Sequence, residues 1–451
     1  MTVELILPED ICIEYKWFLF EMCNQRSIPY SIGSHTLNEI ILKNSNNELR
    51  IKLCGKYFQF DDDTRWNKST IRSLNSKENI NIISDCDVDQ NRLLFHAQGK
   101  LFLGISVINC AIRQMTDYWI LPSDKLDLYG RKRFSDSKLV ELEIIDTPWI
   151  DILFDDIFEY LNIVPSRKAK SNFFLTFDLD APSFTKSVGL MRIIRNLIGD
   201  LIFRKNITLF LHRLTEYIKT NVFGKKDFFD TIDDLIPEIS HDNILKYLFV
   251  MVQCKSDFSE DPCYSLQNPQ VRHVTKRFLE NDFNLGLHTS MKGSNHLNEY
   301  EIEARIFDEQ ISLAYPKKIE LNAHRAHFLH YTNALMSKLM DSGRVEFGFG
   351  YCDRSGFRLG TCREYLAFDV GRKSTSPLKI IPLTAMDVSL LEPGYMNLNN
   401  HTALEILNDY LKTIKMLKGS FVLCWHNHRL VNMDEVNILK SIISDYNDES
   451  T

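Results

Sequence analysis

From residue 172 onward, short apolar runs of strand length recur, and most of them end in aspartate or histidine. FFLTFDLD closes on Asp178 and Asp180, FNLGLHTS on His288, KIELNAHRAH on His324, Arg325 and His327, and GSFVLCWHNH on His426 and His428. Another, LKIIPLT, leads to Met386 and Asp387. Stretches with helical spacing precede most of these runs. Strands alternating with helices predict an α/β protein with a parallel sheet, either a β/α barrel or a doubly wound sheet. In a parallel barrel the C-terminal strand ends meet on one face, where active sites sit. One histidine at a strand end is ordinary packing; several, each closing a separate apolar strand, are not explained by packing.

Strand parity sharpens the list. Residues i and i+2 point the same way, so Asp178 and Asp180 crowd one spot. Like charges held that close call for a cation or a shared proton, unless the pair only caps the following helix. In the later strands Arg325 shares a face with His327, and His426 with Cys424, whereas His324 points the other way. A single site can therefore contain Asp178, Asp180, His288, Arg325, His327, Asp387 and His426. Two histidines and one aspartate suit a divalent metal with open positions, and a second aspartate beside them can act as a base.

The first part of the chain reads differently. ELRIKLCGKYFQF and RLLFHAQGKLFLGI alternate like sheet strands, and residues 149–163 show helical spacing of Ile150, Leu153, Ile157 and Leu161. The polar PSRKAKSN, residues 165–172, is the linker expected between an α+β domain over 1–164 and a larger domain over 172–451. A net charge of −7 argues against a general nucleic-acid binder. The ten cysteines are scattered without a CxxC pair, which fits reduced thiols in a cytosol. The N-terminus does not read as a signal peptide, and no apolar stretch has the length of a membrane span. The segment carrying Arg192, Arg195, Arg204, Lys205 and Arg213 could touch an anionic membrane surface; a solvated helix face is the ordinary alternative.

Taken in order, TFDLD, GLHTS, AHRAHFL, GFGYCDRSGFRLGTC, PLTAMDVSL and VLCWHNH resemble the polysaccharide deacetylase superfamily, the NodB-homology or carbohydrate esterase family 4 domain. The resemblance spans about residues 172–435. LDLYGRKRFS, residues 126–135, is similar to a stretch of the extra N-terminal domain found in one bacterial branch. The resemblance implies a distorted (β/α)7 barrel and a metal-dependent hydrolase, with zinc as the expected ion, that removes N-acetyl groups from a saccharide or glycan precursor in the cytoplasm. It implies Asp178 as catalytic base, Asp180 and His288 as metal ligands, Arg325 as the residue orienting the base, and His426 as general acid partnered by Asp387. The second histidine of the family's His-x-x-x-His motif is replaced by Lys292, so the third ligand is His327 or, less favoured, His296. Arg358 and Trp425 are candidate substrate contacts, with a plain turn and core packing as their alternatives. A relative that hydrolyses a small cyclic amide and a non-catalytic carbohydrate-binding protein are the other readings.

Overall fold

The computed structural model describes the chain apart from residues 1, 46, 54–66, 77–78, 85–93, 98–99, 118–125, 138, 164–169, 183–189, 203–206, 224–231, 242, 253–260, 263, 315–321 and 449–451. The expected linker at 165–172 thus falls largely outside the described residues.

The first part contains strands β1 (Val3–Pro8), β2 (Tyr30–His35), β3 (Glu39–Lys43), β4 (Glu48–Lys52), β5 (Asn67–Arg72), β6 (Asn79–Ser84), β7 (Leu94–Ala97) and β8 (Lys100–Leu103). Six of them form a mixed sheet in the order β2-β1-β3-β4-β8-β7, while β5 and β6 pair as a separate hairpin. Helices α1 (Ile13–Asn24), α2 (Ile105–Met115), α3 (Leu139–Leu142) and α4 (Trp149–Tyr160) accompany them. The helical spacing read from 149–163 is explained by the burial of Ile150, Leu153, Ile157 and Leu161, one apolar face turned to the core.

The second part is built on β9 (Asn172–Asp178), β10 (Ile244–Val250), β11 (Asn284–Thr289), β12 (Ala323–Ala326), β13 (Val345–Glu346), β14 (Tyr365–Asp369), β15 (Ser374–Ile380), β16 (Ala385–Met386) and β17 (Ser420–His426). They form one nine-stranded sheet, β14-β15-β13-β12-β11-β10-β9-β17-β16, parallel except for the β14–β15 hairpin. Helices α5 (Leu190–Ile202) and α6 (Ile207–Phe223) follow β9. The strands are apolar almost throughout because both faces are covered, as parallel sheets require.

A closed barrel is not what the hydrogen bonding gives: the sheet of the described residues is open, ending at β14 and β16. It is nevertheless strongly curled. Phe174 of β9 lies 5.5 Å from Phe347, which follows β13, although three strands separate them in the sheet. Phe174, Phe249, Ala323, Phe347, Leu383 and Val422 fill the inside of the curl as one cluster. A single segment, 374–386, spans the gap: it bonds to β13 through Lys379 and Ile380 and to β17 through Ala385 and Met386. Gly286 of β11 makes the curl possible, since a Cβ there would stand 2.4 Å from the Phe249 ring.

The two parts share a core. Trp17 of α1 packs on Tyr365 and Phe368 and donates from Nε1 to Leu366 O at 2.8 Å. Asp151 of α4 accepts from Thr361 Oγ1 and from the Cys362 N–H, and Arg363 pairs with Asp155.

Candidate active site

The C-terminal ends of β9, β10 and β17 are level, with Asp178 paired in register to Phe249 on one side and His426 on the other. His288 and Arg325 are likewise register partners across β11 and β12. This alignment, together with the curl, gathers Asp178, Asp180, His288, Arg325, His327, Asp387 and His426 into one place. All but Asp180 are buried.

Asp180, His288 and His327 each offer one ligand atom, and the three atoms lie within 4.8 Å of one another. His288 Nε2 is 3.5 Å from Asp180 Oδ1, and His327 Nε2 is 3.8 Å from Asp180 Oδ2. The other ring nitrogen of each histidine is committed. His288 Nδ1 lies 3.0 Å from the Arg325 carbonyl, which can only accept, so Nδ1 carries a proton and Nε2 is the ring atom turned to the site, where a cation would take the place of its proton. His327 Nδ1 lies 2.8 Å from Asp261 Oδ1, which fixes that ring in the same sense. Asp180 Oδ1 and His288 Nε2 are buried with no hydrogen-bond partner. Buried polar atoms are normally satisfied, so two orphans aimed at one point fit a cation. The alternative third ligand, His296, is exposed on the loop beyond, and Lys292 turns to Glu299 at 3.1 Å.

Around this group stand two proton carriers poised oppositely. Burial alone would raise Asp178, but Arg325, His288 and His426 outweigh it and hold its carboxyl below the usual range. Arg325 Nη1 donates to Asp178 Oδ1 at 2.7 Å and Nη2 to Thr176 Oγ1 at 2.9 Å, while the guanidinium rests 4.4 Å above the Phe249 ring. Burial disfavours the cation of His426, yet Asp387, with help from Asp180 and Asp178, pushes it up to about 9. Asp387 grips that residue twice, taking the Nδ1 proton at 2.7 Å and the backbone N–H at 2.7 Å, and leaves Nε2 facing Asp180 Oδ2 at 3.5 Å. Asp180 is held well below the carboxylate range: burial opposes the shift, and His327, His288 and His426 overcome it.

Two candidate substrate contacts do not face the site. Arg358 does not reach toward a substrate: it is buried, forks onto Asp117 at 3.1 and 2.8 Å, donates to Gly350 O at 2.8 Å and lies over Tyr351. Its loop, 353–362, clamps the first part of the chain instead; Asp353 accepts from the Phe134 and Ser135 N–H groups and Arg354 pairs with Asp146. Trp425 is fully buried and points away from the site, since alternation places it opposite Cys424 and His426. His428, beyond the end of β17, is half-buried with its ring 5.5 Å from that of His426; burial, then the neighbouring His426 charge, pushes it down to about 4.

Sequence reasoning missed two contributors, and it singled out a third only by its resemblance to an N-terminal-domain stretch. Asp261 lies in a loop with no periodic signal. Glu346 of β13 takes Tyr331 OH on one oxygen and His324 Nδ1 on the other, while His324 Nε2 meets Thr289 Oγ1 at 2.8 Å, a sealed network behind the site; a glutamate inside the apolar VEFGF was its only sequence signal. The third is the segment around Tyr129. His327 is followed by Phe328 and Leu329, both at positive φ (57° and 55°), an uncommon conformation for bulky residues. Tyr129 stacks on Phe328 at 4.9 Å, and the Arg131 guanidinium lies over both rings. His330 Nδ1 lies 3.2 Å from the Gly130 carbonyl, and Gly130, at φ 70°, has no room for a Cβ, which would stand 2.6 Å from the His330 ring. The first part of the chain thus pins the turn that carries His327.

No protein-family model matches this chain, and no curated protein matches it. Among solved structures, the "putative polysaccharide deacetylase from Mycobacterium smegmatis" is similar, with 12% identity and a TM-score of 0.37, over 62% of this chain and 85% of that one.

Proposed function

We propose that this chain is a metal-dependent hydrolase that removes an N-acetyl or related acyl group from a saccharide. The observation that carries the reading is the constellation itself: an Asp/His/His group with two orphaned atoms aimed inward, set between a carboxylate kept ionised and an imidazole kept protonated. Asp180, His288 and His327 would hold the ion. A divalent cation supplies Lewis acidity to a carbonyl and makes a water more acidic. Asp178 is the proton acceptor: it stays ionised beside Arg325 and is fixed by it, so its lone pair is available without reorganisation. His426 is the proton donor toward a departing amine, because Asp387 holds both its charge and its ring plane while Nε2 faces the ion group. Pairs of titratable groups pushed in opposite directions are the pattern of acid–base assignment in hydrolases.

The test is acetate release from acetylated chitooligosaccharides by the zinc-loaded chain. Asp178→Asn is expected to keep its zinc while turnover falls on the order of 10²–10⁴-fold, and Asp180→Asn is expected to lose the ion. Equal zinc content in the two variants, or unchanged turnover in Asp178→Asn, would sink the reading.

A further inference from the structure

On α5 and α6 large apolar side chains stand on the outward side as well as the inward one. The inward side of α5 holds Ile193, packed with Ala181, Leu197, Tyr217 and Val431, and the buried Asp200, whose Oδ1 lies 3.3 Å from Arg213 Nη1 of α6. The outward positions carry Ile194, Ile198, Leu201 and Ile202, of which Ile198 is 47% and Ile202 60% exposed. On α6 the exposed residues are Ile207, Leu211 and Ile218, the first two at 65% and 53%. The spacings i, i+4, i+7, i+8 and i, i+4, i+11 put each set on one stripe of its helix. Seven of the seventeen large apolar side chains exposed among the described residues stand on this pair, so scatter does not explain them.

Charge narrows what covers the face. Residues 190–223, the two helices and the residues joining them, contain six Lys and Arg against two Asp and Glu, in a chain whose net charge is −7. We propose that α5 and α6 dock this protein on an anionic lipid bilayer. Branched aliphatic side chains enter the boundary of the acyl region while a basic segment meets anionic headgroups, the combination that interfacial helices use. A second copy of the chain meeting this face with its own would bring two basic segments together, which like charge opposes. Since Ile193 packs on Ala181, the residue after Asp180, docking would bring the mouth of the candidate site beside the membrane. The proposal stands without the hydrolase reading.

The full-length protein is tested by co-sedimentation with vesicles of phosphatidylglycerol and phosphatidylcholine, against phosphatidylcholine alone. Binding is expected to the anionic vesicles only and to weaken with added salt. Ile198→Glu with Ile202→Glu is expected to lower partitioning by about tenfold or more, with Tm and zinc content unchanged, because both positions are exposed. Arg192→Glu with Arg195→Glu, which alters charge and leaves the stripe intact, is expected to lower it as well. Absence of binding to anionic vesicles, equal binding by the apolar-stripe variant, or a dimer in light scattering that this variant abolishes would each overturn the proposal. Binding is read without activity, so a protein that partitions and hydrolyses nothing supports the docking surface and counts against the hydrolase reading alone.

Discussion

Asp261→Asn should weaken metal binding while leaving the fold in place. Asp261 is buried, and its Oδ1 accepts two hydrogen bonds, from the Met291 N–H at 2.9 Å and from His327 Nδ1 at 2.8 Å. The first holds the start of the helix that follows His288; the second sets the tautomer and rotation of the ring. Asparagine presents an oxygen of the same shape at the same place, so both contacts survive as neutral ones. Hydrogen bonds to a charged group contribute roughly 1.5–3 kcal/mol and neutral ones roughly 0.5–1.5, so each bond loses about 1 kcal/mol. The bond to His327 is the one that makes its Nε2 a better donor atom. The weakened bond to His327 predicts a loss of roughly 10–100-fold in zinc affinity, the range typical of partners that orient metal-bound histidines. Competition with a chromophoric chelator reads the affinity, and a thermal melt of the metal-free protein reads the fold. Affinity within a factor of about two of the parent would refute the assignment of His327 as a ligand oriented by Asp261. The metal-free protein should still melt cooperatively, lowered only by the roughly 1 kcal/mol that each bond loses; a metal-free variant that no longer folds would refute the claim that the effect is local to the site.

Two further variants test the surroundings of the site. Burial raises Glu303 to about 7, against the bonds it takes from Ser290. Its folded pKa lies above the unfolded one, so the folded state binds the extra proton and stability falls as pH rises from about 4.5 through about 7, by on the order of 3 kcal/mol in all; Glu303→Gln should flatten that part of the stability–pH curve measured by urea unfolding, and an unchanged slope would contradict it. Arg358→Met should cost about 3 kcal/mol by stranding Asp117, as breaking a buried pair does, with KM for any saccharide substrate unchanged; a raised KM at unchanged stability would restore Arg358 to the substrate.

Much of this site was legible because its chemistry sits where strands end, and strand parity is a local property. Asp178, Asp180, Arg325, His327 and His426 are assigned to one face by alternation, and His288 by closing its own apolar strand. Trp425 could have been set aside by the same rule, since it stands between two residues that face the site. Arg358 could not, because its partner Asp117 is distant in sequence and nothing near either residue announces the other. Asp261 has no period to betray it; only the folded loop brings it to His327. Strand number and the open hydrogen-bond order were equally beyond reach, because they depend on how segment 374–386 crosses from β13 to β17. The division near residue 165 stays a proposal: a composition shift marks a change of architecture, and it says nothing of whether the halves can part.

The contacts between those halves make the stronger prediction, that a chain beginning at residue 170 will not hold its metal as the full chain does. Removing the first part exposes the Tyr365 and Phe368 rings that Trp17 covers. It strips Arg358 of Asp117 and Arg363 of Asp155, leaving guanidinium groups in pockets shaped for ion pairs. It also removes Tyr129, Gly130 and Arg131 from the Phe328 turn, whose positive φ values are held against their own cost only by what packs on them. Once that turn relaxes, His327 leaves the position that Asp261 and Asp180 define. Gly130→Ala isolates this last effect inside the intact protein: the added Cβ would meet His330 at 2.6 Å and push the turn away from its support. Zinc affinity should fall in Gly130→Ala although residue 130 touches none of the three ligands, and the fold, measured by melting of the metal-free protein, should persist. If the shortened chain binds zinc as tightly as the full one, the first part is an appendage, and the turn carrying His327 is held by the sheet alone.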